Sequence, residues 1–441
     1  MNRLKLLFSP KIIVLLVLIF IKFFNFFHTS PFFDNFDSPE YFKFNLYPTF
    51  RLQGITFFYS VLQSNSNIVI FQILVSSFSW FYFWYTFNMT IKHSSSKIIF
   101  LLLFLSLSLS SVVSEHDFSI LSESLSTSAL IILITSFIRY YFLKKDFSSF
   151  IILILSIIYF TSTKSSNSLI YPILLIFILI ENINLKRIIK SRRFWLTNFL
   201  LLIPFIFFIN SLTSDVTKTL TTSGTINNRL WFNENWRNQL EKSGYPMNSH
   251  QIWLDHSKGN LGVPPDQAVV NLKEFKIWWS NNGKNYLLNF TLNNPDYAIF
   301  APFTLPLYSN ELNYRKSIFS GWSQGTDLST EFEGFKNTIF FRTLFWPDEP
   351  EFAYLLLGVI LIFTSVCLSL FLKVNRKKLF FNFIIIFTIF AWSYPNWWFG
   401  SKPADMARHN LLAAISWRIL FMLNLVWISD ILFNKLLKRK K

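Results

Sequence analysis

The chain has a single cysteine, Cys367, among 441 residues. No intramolecular disulfide can form, and thiolate metal sites and CxxC redox chemistry are excluded. Cys367 stands inside an apolar run and reads as a buried small hydrophobe. Charge is also scarce. Asp, Glu, Lys and Arg make up 15% of the chain, against roughly a quarter in a soluble protein. That excludes an ordinary soluble enzyme. Glycine is sparse at 11 residues, which speaks against tightly packed, sliding membrane helices. No GxxxxGK[ST] or GxGxxG is present, so nucleotide cradling has no local support, and HExxH and GxSxG are missing too.

Apolar and basic residues dominate what is there. The hydrophobic share is 52% and the mean hydropathy is +0.37. An aromatic share of 20% excludes disorder. Phe alone contributes 55 residues, and Lys, Asn, Ile and Ser are also heavily used. A/T-rich coding produces that pattern, so many Phe residues only fill Leu positions. The formal net charge is +17, from 41 bases against 24 acids. Such a balance points to nucleic acid only where the bases share one face.

A bilayer-spanning helix needs about 20 mostly apolar residues. Ten stretches fit: Leu7–Phe27, Ile68–Phe87, Ile98–Val113, Ile120–Leu143, Ser149–Phe160, Leu169–Ile183, Phe194–Ile209, Phe352–Leu372, Leu379–Trp392 and Leu411–Leu432. The fifth and ninth are short. The first has a basic start but no small-residue cleavage site after Phe27, so it reads as a retained anchor. With a cytoplasmic N-terminus, 22 of the 41 bases fall in the inward segments. They include Lys92 and Lys97, Arg139 to Lys145, Lys186 to Arg193, Lys373 to Lys378, and the Lys435–Lys441 tail. Asp34, Asp37, Glu40, Glu115, Asp117 and Glu123 fall outward. The positive-inside rule therefore predicts both termini in the cytoplasm. The +17 is a topology signal, with no basic face for nucleic acid.

Between spans seven and eight lies an excursion from Asn210 to Glu351 with 12 bases and 14 acids. It opens with Ser211–Thr225, which reads as an exposed linker. Val269–Phe290 reads as roughly helical and carries Trp278 and Trp279. Pro264–Pro265, Pro295, Pro302 and Pro306 break the remainder into short elements. The fold expected is an all-α polytopic membrane protein of about ten helices, seven plus three. Its parts are a module over 1–209, a large, mainly helical extracytoplasmic loop over 210–351, and a second module over 352–441.

Three outward segments carry candidate chemistry. The first, from His28 to Tyr41, holds Asp34, Asp37 and Glu40 within seven residues, directly after a span. A carboxylate at a cavity mouth can accept the proton of an attacking hydroxyl; a solvated acidic loop has the same composition. The second holds Glu115, His116, Asp117 and Glu123. Glu123 sits inside the start of an apolar helix, where an ionisable group is costly, though it could equally be a first-turn acid. His116 and Asp117 read as structural or surface residues, since no second pair follows at a metal spacing. The third, Asn396 to Asn410, holds Lys402, Arg408 and His409, and Arg418 follows about two turns into the last span. A buried guanidinium needs an anion, such as a lipid-linked phosphate or Glu123. Lys402, Arg408 and His409 add positive or donor groups for a phosphate leaving group. His250 and His256 read as surface residues. Asn289-Phe-Thr291 matches a glycosylation sequon.

This layout resembles the polytopic glycosyltransferases of the GT-C fold that use polyprenyl-phosphate-linked sugars. Asp37-Ser-Pro-Glu40-Tyr41 looks like the acidic motif of that family's first outside loop. Tyr47-Pro48-Thr-Phe-Arg51-Leu-Gln-Gly54 is similar to the Arg-x-Pro-Gly segment that leads into its juxtamembrane helix, with Gln53 where Pro is usual. Ser122-Glu123-Ser124-Leu is similar to the acidic start of a later span. The segment Tyr286 to Tyr297 and Asp405-Met-Ala-Arg408-His409 look like elements of some bacterial members.

The resemblance implies an extracytoplasmic active site in the plasma (inner) membrane. Asp37 would be the general base and Glu40 or Asp34 its helper. Arg51 and Glu123 would bind substrate, Glu123 by positioning donor or acceptor or by holding a cation. Lys402, Arg408, His409 and Arg418 would hold the donor phosphate. The implied partners are a polyprenyl-phosphate-sugar donor and a glycan, lipid or protein acceptor. Some members need a divalent cation, Mg or Mn. Two alternatives stay open. One is an O-antigen polymerase or ligase type enzyme leaning on Arg229, Arg237 and His250. The other is a transporter or flippase, which would favour internal symmetry that this sequence lacks.

Overall fold

The first helix shows what kind of protein this is. In α1 (Pro10–His28) the buried positions are Val14, Leu18, Lys22 and Asn25, while Ile13, Leu16, Phe20 and Phe27 are exposed. The spacing is helical, but the covered stripe holds the polar residues and the open face holds the rings. Water-soluble helices do the reverse. A lipid environment accounts for it, because apolar side chains cost nothing there and Lys22 must find its partners inside the protein.

These observations come from a computed structural model. It describes residues 10–28, 31, 38–42, 53–181, 192–213, 215–257, 265–301, 358–364, 366–367, 376–399 and 411–439. Asp34, Asp37, Arg51, Lys402, Arg408 and His409 lie outside the described residues, as does most of Phe352–Leu372. Among the described residues the fold is all-helical, with no strand. After α1 come α2 (Ser38–Tyr41), α3 (Gln53–Leu62), α4 (Asn65–Asn88), α5 (Ser94–Ser108) and α6 (Glu123–Ile138). Next are α7 (Phe147–Thr163), α8 (Tyr171–Glu181), α9 (Arg192–Thr213) and α10 (Asp215–Asn228). Then follow α11 (Glu234–Lys242), α12 (Ser249–Ser257), α13 (Pro265–Val270), α14 (Lys273–Asn281) and α15 (Tyr286–Asn293). The last two are α16 (Arg376–Phe399) and α17 (Leu411–Arg439).

Among the described residues, four helical stretches are long and apolar enough to cross a membrane: Pro10–His28, Asn65–Asn88, Glu123–Leu143 and Leu411–Leu436. Shorter apolar helices include Ser94–Ser108 and Phe147–Thr163. The helix in the third expected span stops at Ser108, followed by a short turn of helix at Ser111–Ser114. The chain divides into two compact units. Unit 1 comprises Met1–Leu212, Thr326–Ile389 and Leu412–Lys441; unit 2 comprises Thr213–Gly325 and Phe390–Leu411.

In unit 1, α6 is central. All of its residues are buried except Ile132, and it packs chiefly on α4 and α7. Thr135 and Ser136 turn their hydroxyls back onto the carbonyls of Ile131 and Ile132 (2.6 and 2.7 Å), so both polar groups are satisfied within the helix. α3 begins at Gln53 and lies on α7. A Cβ at Gly54 would stand 2.6 Å from the Ser162 carbonyl oxygen, so only glycine permits that approach. Cys367, expected to be buried, is half-buried.

Unit 2 corrects two expectations. Ser211–Thr225 is no exposed linker: Asp215–Asn228 is helix α10, and Thr222, Ser223 and Thr225 are buried in it. The reason is local satisfaction of side-chain amides, with Asn227 and Asn228 each donating to a carbonyl four residues back. Val269–Phe290 is helical in pieces, broken between α13, α14 and α15. Asn233 caps α11 by accepting from the Trp236 amide at 3.2 Å. Gly244 ends it at φ +77°. The amides of Gly244 and Tyr245 donate to the Glu241 and Leu240 carbonyls, and Leu240 and Tyr245 are buried together beneath.

Candidate functional site

The second outward segment is a polar seam inside unit 1. Every residue from Val113 to Leu130 is buried. The chain runs through a 3-10 turn, Glu115–Phe118, and re-enters helix at Glu123. The surface alternative for His116 and Asp117 is therefore overturned, with His116 1% and Asp117 2% exposed. The cause is a cation from elsewhere in the chain. Lys22, fully buried on α1, sets its Nζ 2.5 Å from Asp117 Oδ2 and 2.7 Å from Ser76 Oγ on α4. Ser124 Oγ donates to the other oxygen, Asp117 Oδ1, at 2.7 Å. An isolated ion here would be prohibitively costly; the paired, hydrogen-bonded ion is tolerated.

Glu123 is buried and is the first residue of α6, where its charge suits the helix N-terminus. Its Oε1 lies 2.9 Å from Lys164 Nζ, just beyond α7, and Ser122 Oγ donates to Oε2 at 3.3 Å. Lys164 is 15% exposed, the most open charge of the seam. Thus the ion-pair partner of Glu123 is Lys164. Arg418 on α17 is fully buried as expected, and its Nη1 donates to the Ala414 carbonyl at 3.1 Å.

The first outward segment is pinned to this seam. Ser38 Oγ donates to the Ile120 carbonyl at 2.8 Å. Tyr59 O–H donates to the Leu121 carbonyl at 2.8 Å. Gln72 Nε2 donates to Tyr59 Oη at 2.5 Å and to the Ser119 carbonyl at 3.0 Å. Tyr41, Ile55, Tyr59, Ile120, Leu121 and Leu125 form one apolar cluster around these bonds. The backbone of Glu40 belongs to α2, and Asp37 immediately precedes it. Ser38 and Tyr41 therefore lie against the buried segment that carries Asp117 and Glu123. The sequence reading missed Lys22, Lys164, Ser76 and Gln72. The signal for Lys22 was available: an ionisable residue inside an apolar span calls for a partner.

Away from the seam, unit 1 gathers bases. Asp430 Oδ1 on α17 accepts from the amides of Lys92 and His93 at 3.2 and 2.8 Å. Lys377 Nζ donates to the Tyr141 carbonyl at 3.1 Å. Lys378 lies over Trp427, Lys145 over Tyr140, and Lys11 over Tyr85, at 4.9, 5.8 and 4.8 Å from the ring centroids. Loops that the charge rule assigns to one side of a membrane thus come together in space.

Unit 2 holds a second cluster. His250, expected at the surface, is buried. It stacks on Trp231 at 4.3 Å and faces Trp253 at 6.1 Å, with Nδ1 3.3 Å from Asn227 Oδ1. Burial, then the nearby Arg237, pushes its pKa down to about 4. Arg229 is buried, and loss of solvent lowers it to about 10, with Tyr297 opposing the shift. His256 is half-buried.

Among the described residues no three His, Cys, Asp or Glu side chains gather to hold a metal ion. Asp117 and Glu123 give their oxygens to lysine and serine partners instead. Comparisons with family models, with curated proteins and with solved structures return no match.

Proposed function

We propose that the chain is an integral membrane glycosyltransferase with about ten spans and both termini in the cytoplasm. It moves a sugar from a polyprenyl-phosphate donor to an acceptor hydroxyl on the extracytoplasmic side, in a GT-C-like fold. The observation that carries this reading is the buried seam. Three carboxylates, Glu115, Asp117 and Glu123, are buried in the stretch to which Ser38 is hydrogen-bonded. Their two lysines come from distant helices. The gathering of Lys11, Lys92, Lys145, Lys377 and Lys378 away from that seam supports the topology.

In this reading Asp37 takes the proton of the acceptor hydroxyl as its oxygen attacks the anomeric carbon. The new carbon–oxygen bond forms on the face opposite the phosphate. The old bond breaks, and its electron pair leaves on the polyprenyl phosphate, so the sugar inverts. Glu40 or Asp34 helps Asp37, and Glu123 and Arg51 bind substrate. Lys402, Arg408, His409 and Arg418 meet the phosphate charge. A divalent cation, where one is used, would add to that neutralisation. Asp37→Asn, assayed with purified protein and lipid-linked sugar donor, is expected to lose transfer by about a hundredfold or more while still inserting. Full activity in that variant would sink the assignment.

A second reading has its own support. Arg229 and His250 are both buried in unit 2, with Arg237 close enough to depress His250. That suits an O-antigen polymerase or ligase type enzyme. Loss of activity in Arg229 and His250 variants, with Asp37 variants active, would favour it over the first.

A further inference from the structure

Unit 2 carries a groove of about 400 Å³ between α11 and α15. One wall presents Tyr286, Asn289, Phe290 and Asn293, which recur at helical spacing on α15 and so fall on one face, with Asn282 just before it. The other presents Gln239, Lys242 and Ser243. Frequent asparagine in the composition would scatter amides over the surface. Here they converge on one concavity.

The groove is also prepared internally. Gln239 Nε2 donates to Asn294 Oδ1 at 3.0 Å, and Asn294 Nδ2 returns a bond to Gln239 Oε1 at 3.2 Å. Asn282 Nδ2 is held by the Ser243 carbonyl at 2.9 Å. The half-buried ring of Tyr286 stacks on buried Phe290 at 5.9 Å and 25°, which fixes Tyr286 as the aromatic surface between the amides. Asn289 and Asn293 are exposed and make no side-chain hydrogen bond among the described residues.

The chemistry of the lining selects its ligand. A side-chain amide offers donors and acceptors together, as does a sugar hydroxyl. A ring face suits the C–H faces of a pyranose. Among the described residues no carboxylate lines the groove, and Lys242 is the one charge there. A polyanion would need more cations, and a cationic ligand would need acids. The volume lies in the range of small-molecule sites.

We propose that this groove binds a neutral oligosaccharide, and that this oligosaccharide is the acceptor of the transfer. The acceptor role rests on the glycosyltransferase reading; the binding itself does not.

The test uses the full-length chain in nanodiscs, without lipid donor, titrated with chitotetraose, maltotetraose and mannotetraose. At least one should bind saturably. Asn289→Ala with Asn293→Ala should weaken it by about tenfold or more. Both side chains are exposed, so the fold should survive. Leu288→Ala, exposed on the same helix, should change nothing. Binding by none of the three sugars would overturn the proposal. So would equal binding by the double variant, or binding of an uncharged tetrapeptide in their place. In a second assay with polyprenyl-phosphate-sugar donor added, sugar binding without any transfer would refute the glycosyltransferase reading and leave the groove standing. Transfer unchanged in the double variant would refute only the acceptor role.

Discussion

A buried lysine in unit 1 and a buried histidine in unit 2 are accommodated in opposite ways. Unit 1 sets each base against an acid: Lys22 with Asp117, and Lys164 with Glu123. In unit 2, His250 lies buried between Trp rings with its pKa pushed down to about 4, so it is neutral at pH 7. The difference follows from what surrounds each. A lysine inside an apolar helix has no water to return to, so an anion and hydroxyls must be built around it. A histidine can shed its proton and stack as an aromatic ring. The paired device fixes geometry between distant helices. The neutral device fixes packing and leaves a sensitivity to acid.

The largest expected effect comes from breaking the paired device. Lys22→Met leaves Asp117 buried without its cation and should cost about 3–5 kcal/mol, read as a fall in thermal midpoint in detergent. Adding Asp117→Leu should restore much of that loss, because an apolar pair needs no desolvation. If the single variant melts like the parent, unit 1 does not depend on pairing.

An intermediate effect is expected from acid on unit 2. The His250 pKa is lowered from 6.5 to about 4 in the folded state. As pH falls from 6.5 towards 4, the unfolded chain takes up a proton that the folded chain refuses. Stability is therefore present above 6.5 and is lost through that window. The emission of Trp231 and Trp253 should report the loosening, and His250→Phe should flatten the response. An unchanged acid response in that variant would place the sensitivity elsewhere.

The smallest effect is expected at Lys164, which is 15% exposed. Lys164→Gln should cost about 1 kcal/mol or less, and the difference should shrink in high salt. A cost equal to that of Lys22 would show Glu123 to be as isolated from water as Asp117.

Much of unit 1 could be read from the sequence, because lipid imposes long apolar runs and a charge bias. The positions of α1, α4, α6 and α17, the burial of Arg418 and the helical start at Glu123 all follow from that. What the sequence did not disclose was pairing at a distance. Lys22 and Asp117 are 95 residues apart, and nothing local in either segment names the other. Unit 2 was less legible for another reason. Ser and Thr at positions 211–225 look like linker by composition, yet α10 forms because its amides bond back to its own carbonyls and the other elements of the unit cover it. His250 shows the same limit, since only the folded neighbourhood supplies Trp231 and Trp253.

The Lys22–Asp117 pair has a consequence for how the protein is made. Synthesis runs at about 5–20 residues per second, so α1 is complete roughly 5–20 s before Asp117 has been added. Throughout that interval Lys22 lacks the buried anion that it pairs with in the folded protein. The first helix must wait at the edge of the insertion machinery, or keep its ammonium near headgroups, until the later segment arrives. Release of α1 into lipid then becomes contingent on residue 117, which ties the order of insertion to a single bond. Crosslinking of stalled nascent chains should find α1 against the translocon until Asp117 emerges, and free of it afterwards; early release in the parent chain would show that the helix commits alone.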